Sequence, residues 1–188
     1  MALRSEDYLG YWLFYAQRSV AYAFYEALKA CCVEHNKPYV VTPPQWGVLS
    51  LLYEHDGQTL GTLSQQRAID APTMTGIVKR LEQNGLVERK HDREDRRVVK
   101  VYITDEGRDI MRYLPDAAIE FSKMMAQGFS EAEQRELLTK LQRIIFNVSF
   151  VAPHTGDRFG LLPPNFSHNQ VKGQEAQITI DKKEGSYE

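Results

Sequence analysis

Between Ala71 and Thr104 the apolar residues change their spacing, and that change restricts the fold more than any other feature of the chain. In "PTMTGIVKRLEQNG" Met74, Ile77, Val78 and Leu81 recur at i, i+3, i+4 and i+7, the stripe of a helix with one buried face. Pro72 suits a first helical turn and Gly85 a C-terminal stop. Directly afterwards "LVERK" and "VVKVYIT" are β-prone runs separated by the charged "HDREDRR", which predicts a hairpin with a long exposed tip. The segment 71–104 carries eight Lys and Arg against five acids, a surplus of three positive charges in a chain whose net charge is −2. Positive potential is therefore concentrated on this helix and hairpin.

The flanking sequence predicts further helices. Residues 6–35 contain no Gly or Pro after Gly10. At 100° per residue, Leu9, Leu13, Ala16, Val20, Phe24 and Ala27 share one side, and Tyr8, Tyr11, Tyr15, Arg18 and Tyr22 the other. A helix apolar on two sides needs partners on two sides. "NKPYVVTPP" ends it. Thr42 then reads as the N-cap of a helix reaching about Glu54, with Pro43 and Pro44 in its first turn, and "EHDGQT" breaks that helix. "LGTLSQQRAI" predicts a short helix. After the hairpin, Thr104 caps a helix to about Gly128 that Pro115 kinks, and Ser130 with Glu133 forms the capping box of a last one. Beyond Ala152 the composition turns to Pro, Gly, Asn, His and Gln, which predicts a tail that is disordered or wraps a partner surface, with "QITID" as a short strand. The expected class is mainly α with a small β-hairpin wing (α+β), a winged helix-turn-helix between helical ends. The divisions fall at 1–41, 42–104, 105–152 and 153–188.

On the expected reading helix, Pro72, Gly76, Lys79 and Gln83 face away from the stripe, with Thr73, Thr75 and Arg80 on its shoulders. Small groups at its start allow close approach of a duplex, and the two cations suit phosphates or guanine edges. At the tip, Arg93, Arg96 and Arg97 are candidates for a minor groove, and Asp92 or Asp95 can brace a neighbouring arginine. Spacing alone does not separate the three arginines.

The run "APTMTGIVKRLEQNGLVERKHDREDRRVVKVYITDEG" resembles the multiple antibiotic resistance regulator (MarR) family. The phrases that carry the likeness are Leu81, Glu82, Gly85, Leu86 and Arg89; then Asp92, Asp95, Arg96 and Arg97; then Ile103, Thr104 and Gly107. Arg93 stands where proline is frequent, and Ile103 replaces the usual leucine. The resemblance implies a homodimer built by interleaving terminal helices, each protomer presenting one reading helix and one wing. Such a dimer would bind a near-palindromic operator with half-sites about 10 bp apart, or a multiple of that. It also implies a repressor released by a small-molecule effector held between the first, second and fifth helices. Candidates there are Tyr8, Tyr11, Tyr15, Arg18, Tyr22, Trp46 and Tyr53, with Met111 and Tyr113 behind them. Aromatic rings plus one cation suit a planar acid or an acyl conjugate with an anionic end.

Other classes find less support. The chain lacks G-x-S-x-G, H-E-x-x-H, P-loop and G-x-G-x-x-G patterns, so no enzyme and no cofactor is expected. Adjacent Cys31 and Cys32 make no disulfide framework. They allow a redox-responsive regulator as an alternative, while Cys31 with His35 is two ligands short of a zinc site. A second alternative is a helical dimer whose winged domain binds protein. No membrane span or cleavable leader is evident, and the cytoplasm is the expected compartment.

Overall fold

A computed structural model describes residues 4–92 and 95–149. A 3₁₀ turn (Ser5–Asp7) leads into α1 (Leu9–Glu34), followed by α2 (Pro43–Glu54), β1 (Gln58–Thr59), α3 (Leu60–Arg67) and α4 (Ala71–Gln83). The hairpin β2 (Val87–His91) and β3 (Val99–Ile103) comes next, then α5 (Asp105–Ile110), α6 (Leu114–Met125) and α7 (Glu131–Ser149). The chain divides into two compact units, one of residues 1–63 and 71–128, the other of 64–70 and 129–188. Arg93 and the tail after residue 149, with the expected "QITID" strand, lie outside the described residues.

Local chemistry explains the boundaries within the first unit. The Thr42 backbone N–H donates to Gln45 Oε1 at 2.9 Å, half of a capping box, and Pro43 and Pro44 occupy the turn whose N–H groups have no helical partner. Met74, Ile77, Val78 and Leu81 are buried together with Leu49 and Leu52 of α2, so the expected stripe is the inward face of α4. Gly85 closes α4 at φ +71°, a left-handed position natural to glycine. The Leu86 N–H then returns to the Leu81 carbonyl at 2.9 Å.

Two expectations change. The hairpin is part of a three-stranded antiparallel sheet of order β1-β3-β2, in which Gln58 pairs with Val101 and Thr59 with Lys100. "EHDGQT" thus supplies an edge strand as well as a break. The kinked helix expected after Thr104 is two helices. Pro115 has no N–H to return to Met111, and its ring crowds that carbonyl. The chain tightens instead through i→i+3 bonds from Arg112 to Asp109 (3.1 Å) and from Tyr113 to Ile110 (3.1 Å), then restarts as α6 with the proline in its first turn.

In the second unit, Ser130 and Glu133 form the expected capping box: the Ser130 N–H donates to Glu133 Oε2 at 2.8 Å, and the Glu133 N–H to Ser130 Oγ at 3.3 Å. Among the described residues no helix is long and apolar enough to cross a membrane.

Candidate nucleic-acid interface

The outer face of α4 is built from what its inner face leaves over. Pro72, Thr73, Thr75, Lys79 and Arg80 are exposed while the four stripe residues are buried. Gly76 sits between them with no atom within 4 Å of where a side chain would begin, so the helix backbone is open to a close partner. Thr75 turns its hydroxyl back to the Ala71 carbonyl at 2.8 Å. Lys79 and Arg80 have no ion-pair partner among the described residues.

The cations that follow are differently placed. Arg89 reaches back across the turn and donates Nε–H to Glu82 Oε2 at 3.1 Å, a contact that holds the Glu82 carboxyl below its ordinary value and raises Arg89. Lys90 pairs with Glu88 and lies 5.6 Å from the Tyr102 ring centre. Lys100 pairs with Asp92 at 2.6 Å. Arg97 donates to Asp95 from its backbone N–H at 3.0 Å and from Nε at 3.2 Å. At the hairpin tip Asp92 also accepts the Asp95 N–H at 3.1 Å. Arg96 has no ion pair among the described residues; its carbonyl is held by His91 Nδ1 at 2.8 Å, so its backbone is fixed and its exposed guanidinium is left over.

Three contacts hold the head in one piece. Thr104 caps α5, its hydroxyl donating to the Gly85 carbonyl at 2.7 Å and accepting the Gly107 N–H at 3.1 Å. A Cβ on Gly107 would collide with the Leu86 carbonyl and the Ile103 side chain, so glycine is required for this approach of α5 to the α4–β2 turn. Asp56 was overlooked in the sequence: it accepts the Ile103 N–H at 2.9 Å and pairs with Arg108 at 2.6 Å. Also unforeseen is the cluster in which Lys37 donates to Glu106 (2.9 Å) and Asp109 (2.7 Å) while the Tyr39 hydroxyl donates to Glu106 (2.6 Å). Hydrogen bonds from Tyr39 and then Lys37 lower the Glu106 carboxyl; Lys37 lowers Asp109; burial and Glu106 together raise the Tyr39 phenol.

The effector candidates spread out along α1. Tyr8 and Tyr22 are 14 positions apart, about 21 Å of helix, more than one small ligand spans. Tyr8, Tyr15, Tyr22 and Arg18 are exposed. Tyr11 and Tyr15 have ring centres 4.7 Å apart, and Arg18 lies 5.5 Å from the centre of Phe14. Trp46 packs edge-on against Phe24 at 5.4 Å, with its indole N–H buried and without a hydrogen-bond partner among the described residues, while Tyr53 is half exposed on α2. Met111 is buried, and Tyr113 stacks on His35 at 3.7 Å. Cys31 and Cys32 are buried, and burial before all else raises both thiols, which disfavours the thiolate that a redox sensor needs.

Comparison with known proteins gives the same assignment from outside. The model of the MarR family matches residues 41–99. Over 95 residues the chain is 36% identical to the uncharacterised HTH-type transcriptional regulator YsmB of Bacillus subtilis, covering 50% of this chain and 65% of that one. It spans 46 to 65% of the length of three curated regulators that it matches at 35 to 40% identity. A probable transcriptional regulator of Pseudomonas aeruginosa superposes with a TM-score of 0.65 at 29% identity, covering 75% of this chain and 99% of that one. The transcriptional repressor CouR, solved bound to a 23-mer DNA duplex, superposes with a TM-score of 0.61 at 26% identity, covering 77% and 99%. These relatives are transcriptional regulators, not enzymes. With their winged helix and the Glu82–Arg89 tie in place, and the Thr104–Gly107 cap directly after them, residues 41–99 match the MarR family of transcriptional regulators.

Proposed function

We propose that the chain is a homodimeric, effector-responsive repressor that binds a near-palindromic duplex operator, with α4 in the major groove and the wing in the flanking minor groove. One observation carries the reading. Of the cations described in segment 71–104, Arg89, Lys90, Arg97 and Lys100 are neutralised by their own acids, whereas Lys79, Arg80 and Arg96 are exposed and have no ion pair among the described residues. Free guanidinium and ammonium groups on a rigid frame suit phosphates and base edges. The duplex bound by CouR supports the same use of this fold.

Dimerisation is supported by the first half of α1, where Leu9, Trp12 and Tyr22 are 59, 60 and 69% exposed, an apolar surface that a second copy would cover. The proposed effector is aromatic and anionic, its acid group drawn to Arg18 and its ring to the neighbouring tyrosines and to Trp46 and Tyr53. Pro72, Thr73, Thr75 and Gly76 serve as the close-approach end of α4, and Asp92 and Asp95 keep the wing in shape. Titration of the full chain against duplexes from its own upstream region, at several salt concentrations, tests the reading. Affinity should fall steeply with salt as phosphate-bound counterions are released. Salt-independent or absent binding would favour a winged domain that binds protein.

A further inference from the structure

The outer face of α4 is chemically divided along its length. Near its start, Thr75 donates its hydroxyl proton to the Ala71 carbonyl at 2.8 Å. That proton is the only one a threonine side chain can offer, so the exposed Thr75 has none left for an acceptor on a partner. What it presents is its γ-methyl group, beside an oxygen that can only accept. Gly76 next to it has no atom within 4 Å of the place of a Cβ, so no other group of the protein holds a partner away from this turn. One helical turn further on, Lys79 and Arg80 present the reverse chemistry. Both are exposed, both can only donate, and neither has an ion pair among the described residues.

Base edges in a major groove divide in the same way. Guanine offers two acceptors, N7 and O6, and thymine is marked by its 5-methyl group. A threonine without a free proton suits the methyl and cannot serve the guanine edge; a lysine or an arginine does the reverse. Thr75 and Lys79, like Gly76 and Arg80, stand four positions apart on one face, about 6 Å along the helix axis. Base pairs stack about 3.4 Å apart, so the two ends meet bases about one to two pairs from each other. We propose that α4 reads a two-part half-site: the Thr75–Gly76 turn packs against the methyl group of a thymine, and Lys79 or Arg80 binds a guanine about one to two base pairs away. This rests on the reading of α4 as the major-groove helix and goes beyond it by naming the bases and the group on Thr75 that selects one of them.

Selection of binding duplexes from a random pool by the full chain tests the base pattern. Enriched half-sites should hold a thymine and a guanine about one to two pairs apart, and enrichment without that pair would overturn the proposal. No enrichment at all would sink the DNA-binding reading, and this inference with it, as a distinct result. In the selected duplex, deoxyuridine in place of the thymine removes one methyl group and nothing else. It should lower wild-type affinity about fourfold, the worth of one buried methyl group, and equal binding of the two duplexes would refute the methyl contact without recourse to any variant. Thr75→Val keeps the methyl, loses the hydroxyl and should keep the preference for thymine over uracil; Thr75→Ser keeps the hydroxyl and should lose that preference. The opposite order would make the hydroxyl the reading group and overturn the proposal. Gly76→Ala suits a helix better than glycine and should melt no lower than the wild type, yet weaken binding about tenfold by holding the duplex off. Undiminished binding by this variant would show that no close approach occurs at the Thr75–Gly76 turn, and the proposal fails.

Discussion

The outer face of α4 and the wing carry the same kinds of cation, yet the structure treats them in opposite ways. On α4 the one acid, Glu82, is taken by Arg89 of the wing, and Lys79 and Arg80 project with no ion-pair partner among the described residues; on the wing each described cation except Arg96 is bound to an acid within the same segment. A helix needs no help to hold its shape, because its backbone bonds and buried stripe already do so. The described part of the hairpin tip has two backbone bonds, from Asp92 to Val98 and from Val98 to Asp95, but no buried stripe, and the side chains of Asp92 and Asp95 add further cross-links. The described basic residues are therefore left open on one element and mostly braced on the other, and net charge alone does not separate the two situations.

The largest effect should come from the joint shared by both regions. Gly107→Ala places a methyl group against the Leu86 carbonyl and should cost about 3 kcal/mol of stability, read by urea unfolding, because the contact is with backbone that cannot rotate away. Unchanged stability would mean that α5 moves off the α4–β2 turn without penalty.

Next comes the division itself. The double variant Lys79→Ala/Arg80→Ala should weaken operator binding about 100-fold, at roughly 1–3 kcal/mol per contact, and leave unfolding within about 0.5 kcal/mol of wild type. Asp92→Ala should do the reverse, costing about 1 kcal/mol of stability because Lys100 and the Asp95 N–H lose their acceptor, with a smaller loss in binding. If both variants lose binding and stability together, the comparison collapses.

Within the wing, Arg96→Ala and Arg97→Ala should part. Removing the unpaired Arg96 should lower the slope of log affinity against log salt by about one, with normal stability. Removing Arg97, already held by Asp95, should change that slope less. Equal slopes would place the two arginines in one role.

Much of this arrangement was legible in the sequence wherever the determinants are local. The α4 stripe, the Gly85 stop, the Thr42 and Ser130 caps and the Asp-rich tip all act within seven residues of themselves. What escaped is long-range. Asp56 reaches Ile103 across 47 positions, Lys37 reaches Asp109 across 72, and β1 forms only because β3 offers it an edge. Pro115 was visible, but whether a proline kinks a helix or starts a new one depends on the turn before it, here the 3₁₀ bonds at Arg112 and Tyr113. The effector candidates on α1 share a helix side, yet 26 residues of helix distribute them too widely to form one site.

The smallest effect concerns the link that joins the two regions, Glu82 on α4 and Arg89 on β2. The hydrogen bond from Arg89 holds the Glu82 carboxyl below its ordinary value of 4.5, so the folded state gains from the pair wherever Glu82 is ionised. That gain is complete above pH 4.5 and disappears as the pH falls through the depressed value in the folded protein. Both side chains are about a third exposed, which screens the pair and limits its contribution to about 0.5 kcal/mol. Glu82→Gln should therefore be slightly less stable than wild type at pH 7, with the gap closing in acid and shrinking in high salt. Urea unfolding of the two proteins at neutral and acidic pH measures that gap directly, and other titrating groups cancel in the difference. A gap that persists in acid would show that Glu82 acts through packing on α4 and that the reading helix and the wing are joined only through Gly85 and Thr104.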